Sequence, residues 1–103
     1  MSILGFKIWR INDESMAPTI PKNSYVLVNH WFNFNWFSIE NIVLIQHHFY
    51  GLIVKKIAVI DKNGFIWGRG ENTKSLPIEQ LGPINKKQII GRVLFIFKRS
   101  TKH

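Results

Sequence analysis

Apolar residues in this chain come in short runs and alternating segments of strand length, separated by turn residues. The alternation in residues 6–11 (FKIWRI) and 24–29 (SYVLVN) is typical of half-buried strands, and residues 41–47 (NIVLIQH) form a strand of the fully buried type. The pattern predicts a mainly β fold, a small coiled sheet or partly open barrel with little helix. Further strands are predicted at residues 50–60, 65–69 and 88–98.

Glycine and proline positions predict where this sheet turns and bends. Asn63-Gly64, between two of the predicted strands, is the strongest short signal for a β-hairpin. Gly91 lies inside the last predicted strand, where a glycine indicates a bulge or bend. Pro18 and Pro21 exclude a long helix after residue 15.

Length and composition restrict the domain count and the kind of chemistry. The 103 residues suffice for a single domain, residues 1–103. The chain has no cysteine, which excludes disulfides, thiolate metal sites and cysteine nucleophiles. No segment approaches the roughly 18–20 apolar residues that cross a bilayer. We therefore expect no transmembrane segment, and a location in the cytoplasm or at the periphery of a membrane.

The charge balance is strongly basic, with 14 Lys and Arg against 6 Asp and Glu, or +8 in total. This balance favours an anionic partner, although a chain rich in Ile, Lys and Asn is also what an AT-rich genome encodes. Because the basic residues do not form one block, nucleic acid is the less favoured partner. The aromatic region from Trp31 to Phe37 predicts either core packing at one end of the sheet or a patch that docks on a membrane surface.

Several segments of the chain resemble motifs of a known protein family, and they occur in the same order along the sequence. Residues 15–20 (SMAPTI) resemble the S-M-x-P-T nucleophile motif of signal peptidase I and the LexA-type peptidases, and residues 52–57 (LIVKKI) resemble their lysine strand. Residues 70–75 (GENTKS) are similar to the G-D-N-x-x-x-S motif, and residues 89–93 (IIGRV) are similar to the closing motif. The resemblance covers roughly residues 9–97. The small size is similar to the peptidases that mature nickel superoxide dismutase precursors.

The resemblance implies a serine endopeptidase that uses no cofactor and processes a peptide or small precursor protein. It implies Ser15 as the nucleophile and Lys55 as the general base, with Met16 lining the site beside the serine. It also implies that Pro18 and Thr19 shape the nucleophile turn. Ser75 matches the serine that orients the lysine.

The chemistry explains why a serine and a buried lysine belong together. A serine hydroxyl needs a base, and lysine, with an ordinary pKa near 10.4, becomes a base at moderate pH only where burial disfavours its ammonium form. On a strand, Lys55 shares its face with Ile53 and Ile57, which supplies such a setting. Lys56 occupies an equally apolar face, so alternation does not choose between the two lysines. The resemblance chooses Lys55, the first of the pair.

The sequence differs from the family motif in the residues directly before Ser15. Asp13 occupies a position where glycine is usual, and Glu14 follows it. Two carboxylates beside the serine oppose a developing oxyanion and favour the charged lysine, so we expect slow catalysis. The residues after Ser75 also differ from the family pattern, and Glu71 replaces the usual aspartate.

Other functions were compatible with the same residues. A LexA-type self-cleaving domain, a basic β-barrel that binds nucleic acid through its aromatic residues, and a non-catalytic peptide-binding domain are the alternatives. A metal site is disfavoured, because adjacent His47 and His48 point to opposite faces of a strand and His30 and His103 stand alone.

Overall fold

Antiparallel strands form one open sheet in this protein, whose computed structural model describes residues 2–3 (backbone only), 5–31, 37–72 and 77–98. Within this part of the chain the sheet order is β1-β2-β3-β7-β4-β5-β6, and the outer strands β1 and β6 do not pair with each other. The mainly β fold with little helix is thus confirmed, and the sheet is not closed into a barrel. The strands are β1 (Ser2–Ile3), β2 (Phe6–Ile11), β3 (Ser24–Asn29), β4 (Ile42–His47), β5 (Gly51–Ile60), β6 (Ile66–Arg69) and β7 (Ile89–Phe97).

All six strands predicted from the sequence are present, with each end within one residue of its predicted position. The two-residue strand β1, the short helix α1 (Ile78–Leu81) and a 3-10 turn (Lys86–Gln88) were not predicted. The last strand, β7, lies between β3 and β4 and joins the two halves of the sheet. Alternation predicts strands one at a time and carries no information on this pairing.

Both faces of the central strands are covered by apolar side chains, which explains their continuous apolar sequences. On β4, Val43 and Ile45 pack into one core cluster, whereas Leu44 packs into the other. The first cluster, called core A, contains Phe37, Val43, Ile45, Ile53, Ile57, Ile66, Leu81, Ile84 and Ile89. The second, called core B, contains Ile11, Met16, Ile20, Val26, Val28, Leu44 and Val54.

The predicted turn and bulge are both found. The Asp61 carboxylate accepts hydrogen bonds from the backbone N–H groups of Asn63 (2.9 Å) and Phe65 (3.0 Å), and Gly64 has a positive φ of 85°. Gly91 pairs with Leu44, and the pairing of β7 with β4 shifts register at the neighbouring Ile90. The pairing of β7 with β3 shifts register at Leu94. A side chain at Gly91 would overlap the carbonyl oxygen of Asn29, so the close approach of β3 requires glycine.

The aromatic region divides between surface and core. Trp31 is 66% exposed, whereas Phe37 is buried in core A and therefore does not belong to an exposed patch. The other aromatic residues of this prediction, at positions 32–36, lie outside the described residues. No helix in the described part of the chain has both the length and the apolar character needed to cross a membrane.

Candidate active site

The turn that carries Ser15 connects β2 to β3 and is held by its own backbone. The N–H of Ala17 donates to the Glu14 carbonyl at 3.0 Å, and that of Ile20 donates to the Met16 carbonyl at 2.8 Å. Asp13 begins the turn, because its carboxylate accepts the Ser15 N–H at 3.0 Å, as aspartates commonly do two residues before a backbone donor.

Met16, which the sequence placed either in the lining of the site or in the core, packs in the interior and anchors this turn. Its side chain is 1% exposed and packs in core B, as does that of Ile20. Because Met16 follows Ser15 directly, it turns inward, while the serine stays beside the cavity described below. Pro18 is exposed, and its peptide bond with Ala17 is cis.

The Ser15 hydroxyl lies between two acceptors, although it has one proton to donate. It is 2.7 Å from Oδ2 of Asp13 and 3.2 Å from the carbonyl oxygen of Val54. The same Asp13 oxygen accepts the Val54 N–H at 3.1 Å. Asp13 therefore links the nucleophile turn to the lysine strand and accepts the Ser15 hydroxyl in the resting structure.

The length of β6 explains how these side chains reach β5. Strand β6 ends at Arg69, which pairs with Lys56, so β6 does not cover the edge of β5 before that residue. At Val54 the backbone N–H and carbonyl bond to the side chains of Asp13 and Ser15 instead. These two hydrogen bonds fix Ser15 beside Val54, the residue before Lys55.

Lys55 is almost fully buried, at 3% exposure. Burial lowers the pKa of its amine below the ordinary value, and the Asp13 carboxylate opposes this by raising it. The absence of a side chain at Gly68 leaves room for the lysine, since a β-carbon there would lie 2.9 Å from that of Lys55. The site thus holds an amine whose neutral form is favoured relative to a lysine in water.

Lys56 points away from this site to a cluster of charged residues. Its Nζ is 3.2 Å from the carboxylate of Glu71 and 3.7 Å from that of Glu40. Glu40 also binds Arg69 at 2.9 Å. The two lysines that alternation left equivalent therefore have different surroundings.

One cavity of about 430 Å³ brings the sequence-predicted residues Ser15, Lys55 and Asp13 together. Met16, Pro18 and Thr19 are not part of its lining, and Ser75 lies outside the described residues. The lining is formed by Asn12, Asp13, Glu14, Ser15, Tyr50, Leu52, Ile53 and Lys55.

Glu71 and Asn72, which the sequence analysis did not assign to the site, brace the Ser15 turn through hydrogen bonds. The N–H of Glu71 donates to the Ser15 carbonyl at 2.6 Å, and the Glu71 carboxylate accepts the Thr19 hydroxyl at 2.6 Å. The hydrogen bond from Thr19 lowers the pKa of Glu71 most, and the hydrogen bond from Lys56 lowers it further. Asn72 donates to the carbonyls of Glu14 (2.7 Å) and Ala17 (2.9 Å). The G-E-N sequence was the available signal for this brace.

His47 and His30 form hydrogen bonds within the fold, outside the lining of the cavity. His47 Nδ1 accepts the N–H of Phe49 at 3.1 Å, and its Nε2 lies 3.3 Å from the carbonyl of Leu81. His30 Nε2 accepts the Trp9 indole N–H at 3.1 Å. Among the described residues, no group of three or more His, Cys, Asp or Glu side chains is placed to hold a metal ion.

Comparison with known proteins does not supply a family. Protein-family models do not match this chain, and no curated protein matches it significantly. The case for a function therefore depends on the motifs and on the geometry of the cavity.

Proposed function

We propose that this chain is a serine endopeptidase that uses a Ser15–Lys55 dyad to process a peptide or a small precursor protein. The observation that supports this most is the convergence of a buried serine and a buried lysine, from separate elements, on one open cavity. Burial lowers the pKa of Lys55, in the direction a general base requires.

In the acylation step, the neutral Lys55 amine takes the proton from the Ser15 hydroxyl as Oγ attacks the scissile carbonyl carbon. The tetrahedral intermediate then collapses to an ester with Ser15, and the Lys55 ammonium donates its proton to the leaving amine. Lys55 then takes a proton from a water molecule, whose oxygen attacks the ester carbonyl carbon. The Lys55 ammonium returns the proton to Oγ as the bond between Oγ and the acyl carbon breaks. Before acylation the serine hydroxyl must turn from Asp13, which accepts it at rest.

Digestion of a proteome-derived peptide mixture, followed by mass spectrometry, tests the dyad. We expect defined cuts from the wild type, and at least a roughly thousandfold lower rate from Ser15→Ala and Lys55→Met. Lys56→Met is the matched control, because it removes the neighbouring lysine, whose partners are Glu71 and Glu40.

Circular dichroism of all variants separates lost chemistry from lost folding. Cuts that persist in Ser15→Ala, or equal loss in Lys55→Met and Lys56→Met with the fold intact, would contradict the proposal. The wild-type rate should rise with pH through the lowered pKa of Lys55, since only the neutral amine acts as a base.

A further inference from the structure

The acidic wall of the cavity suggests which substrate side chain it accepts, and this inference rests on the proposed peptidase function. We infer that the cavity binds a lysine or arginine side chain of the substrate next to the bond that is cleaved, with Glu14 as the specificity-determining residue.

Charge in the cavity is opposite to that of the molecule. The chain has only 6 acidic residues against 14 basic ones, yet two of the acidic residues, Asp13 and Glu14, are adjacent in the lining. Among the described residues, Lys55 is the one basic residue of that lining, and it is neutral in the state that acts as a base. The described lining of the competent cavity therefore presents two carboxylates and no cation, which favours a positively charged side chain over a neutral or acidic one.

Glu14 is the carboxylate available for recognition. Its side chain is exposed and forms no ion pair or hydrogen bond with any other residue in the described part of the chain. The position of its backbone is fixed, because Asn72 donates to the Glu14 carbonyl at 2.7 Å. Asp13, by contrast, already accepts hydrogen bonds from Ser15 and Val54.

The rest of the lining suits the stem of a long basic side chain. Leu52 and Ile53 provide aliphatic surface, and the half-exposed ring of Tyr50 provides a face for a cation. A cation beside Asp13 would also compete for the carboxylate that accepts the Ser15 hydroxyl at rest. Binding of the preferred side chain would thus help to release the nucleophile.

Matched peptides test the assignment. Cleavage sites found in the peptide mixture should share a lysine or arginine at one fixed position near the cleaved bond. The kcat/KM should fall when that residue is replaced by norleucine, which keeps the aliphatic stem and lacks the ammonium group. In Glu14→Gln the preference for lysine over norleucine should shrink by about fivefold, the effect of an ion pair of about 1 kcal/mol. Glu79→Gln is the control, an exposed carboxylate on α1 outside the cavity.

Binding to the Ser15→Ala variant supplies a readout that does not need cleavage. Peptides with lysine should bind it more tightly than their norleucine counterparts, and Glu14→Gln in that background should remove the difference. Equal affinities for the two peptides, or cuts with no basic residue at a fixed position, would overturn the inference and leave the dyad standing. Absence of any cut by the wild type would instead count against the proposed peptidase function.

Discussion

Asp13 joins the turn that carries Ser15 to the edge of strand β5. The sequence placed Asp13 among the residues that support the site and, because it replaces the glycine of the motif, predicted that it slows catalysis. In the structure its carboxylate accepts the N–H and hydroxyl of Ser15 and the N–H of Val54. The same side chain therefore orders the nucleophile turn and raises the pKa of Lys55.

Replacement of Asp13 by asparagine should separate these two roles. Asp13→Asn keeps an oxygen acceptor for the turn and removes the negative charge that raises the pKa of Lys55. Without that charge the neutral amine forms at lower pH, so the rising limb of kcat/KM should move to lower pH. The measurement is a pH profile from neutral to alkaline buffer, with Glu79→Gln as the charge-matched control. A limb that stays in place in Asp13→Asn would contradict the electrostatic role assigned to this carboxylate.

Individual residues also show where sequence reasoning stops at the site. Ser15, Lys55 and Asp13 were named from motifs and lie in one cavity, but the inward direction of Met16 depends on packing that local patterns do not record. Alternation left Lys55 and Lys56 equivalent because β5 is apolar on both faces. Their difference depends on Glu71, which is distant in sequence and binds Lys56.

At the scale of elements, strands were predictable where alternation or an apolar run was bounded by turn residues. The elements missed are the shortest: β1 has two residues, and α1 has four after Pro77. Such segments contain too few residues to show a hydrophobic periodicity. They form only where neighbouring elements supply hydrogen-bonding and packing partners. The sequence pattern did not predict the order of the strands in the sheet either. The last strand, β7, pairs with β3 and β4, which lie far before it in the sequence.

The close approach of β7 to β3 at Gly91 is an element-scale feature that a single added methyl group can test. In Gly91→Ala the new β-carbon would overlap backbone of Asn29 and the side chain of Val28, so β3 and β7 must separate. We expect destabilisation of about 1–3 kcal/mol, measured as the free energy of unfolding in urea. Arg92→Ala, an exposed neighbour on the same strand, should stay within about 0.5 kcal/mol of the wild type. A Gly91→Ala variant as stable as Arg92→Ala would show that the sheet does not need this close approach.

At the scale of the whole molecule, the described residues include a broad apolar surface on the outer face of β2, β3 and β7. Residues that pair directly across strands share a face. Ile8 pairs with Leu27 and Leu27 with Phe95, which forms one row across the three strands. A second row joins Arg10, Tyr25 and Phe97. Of these apolar residues, Phe95 is 63% exposed, Ile8 and Phe97 49%, and Tyr25 46%.

An anionic bilayer is the occupant that suits this outer face. Contiguous exposed apolar surface of this kind commonly marks a protein or membrane contact. The face combines aromatic rings with Arg10, and exposed Lys98 directly follows Phe97. Aromatic side chains favour the lipid interface, and a net charge of +8 attracts anionic headgroups. We therefore propose a membrane contact on the outer face of β2, β3 and β7. The membrane patch at Trp31 to Phe37, one of two interpretations of that region, stays a prediction, since residues 32–36 lie outside the described residues.

Co-sedimentation with lipid vesicles tests this surface. The wild type should bind vesicles that contain phosphatidylglycerol, bind neutral vesicles less, and lose affinity as salt rises, because screening weakens the attraction between charges. The Phe95→Ser, Phe97→Ser double variant should bind at least about tenfold more weakly, since each ring would bury apolar area in the interface. Phe49→Ser is the matched control, because Phe49 is 89% exposed but lies in the turn between β4 and β5. Equal loss in the control variant, or self-association of the wild type that the double variant abolishes without any vesicle binding, would assign the surface to another occupant.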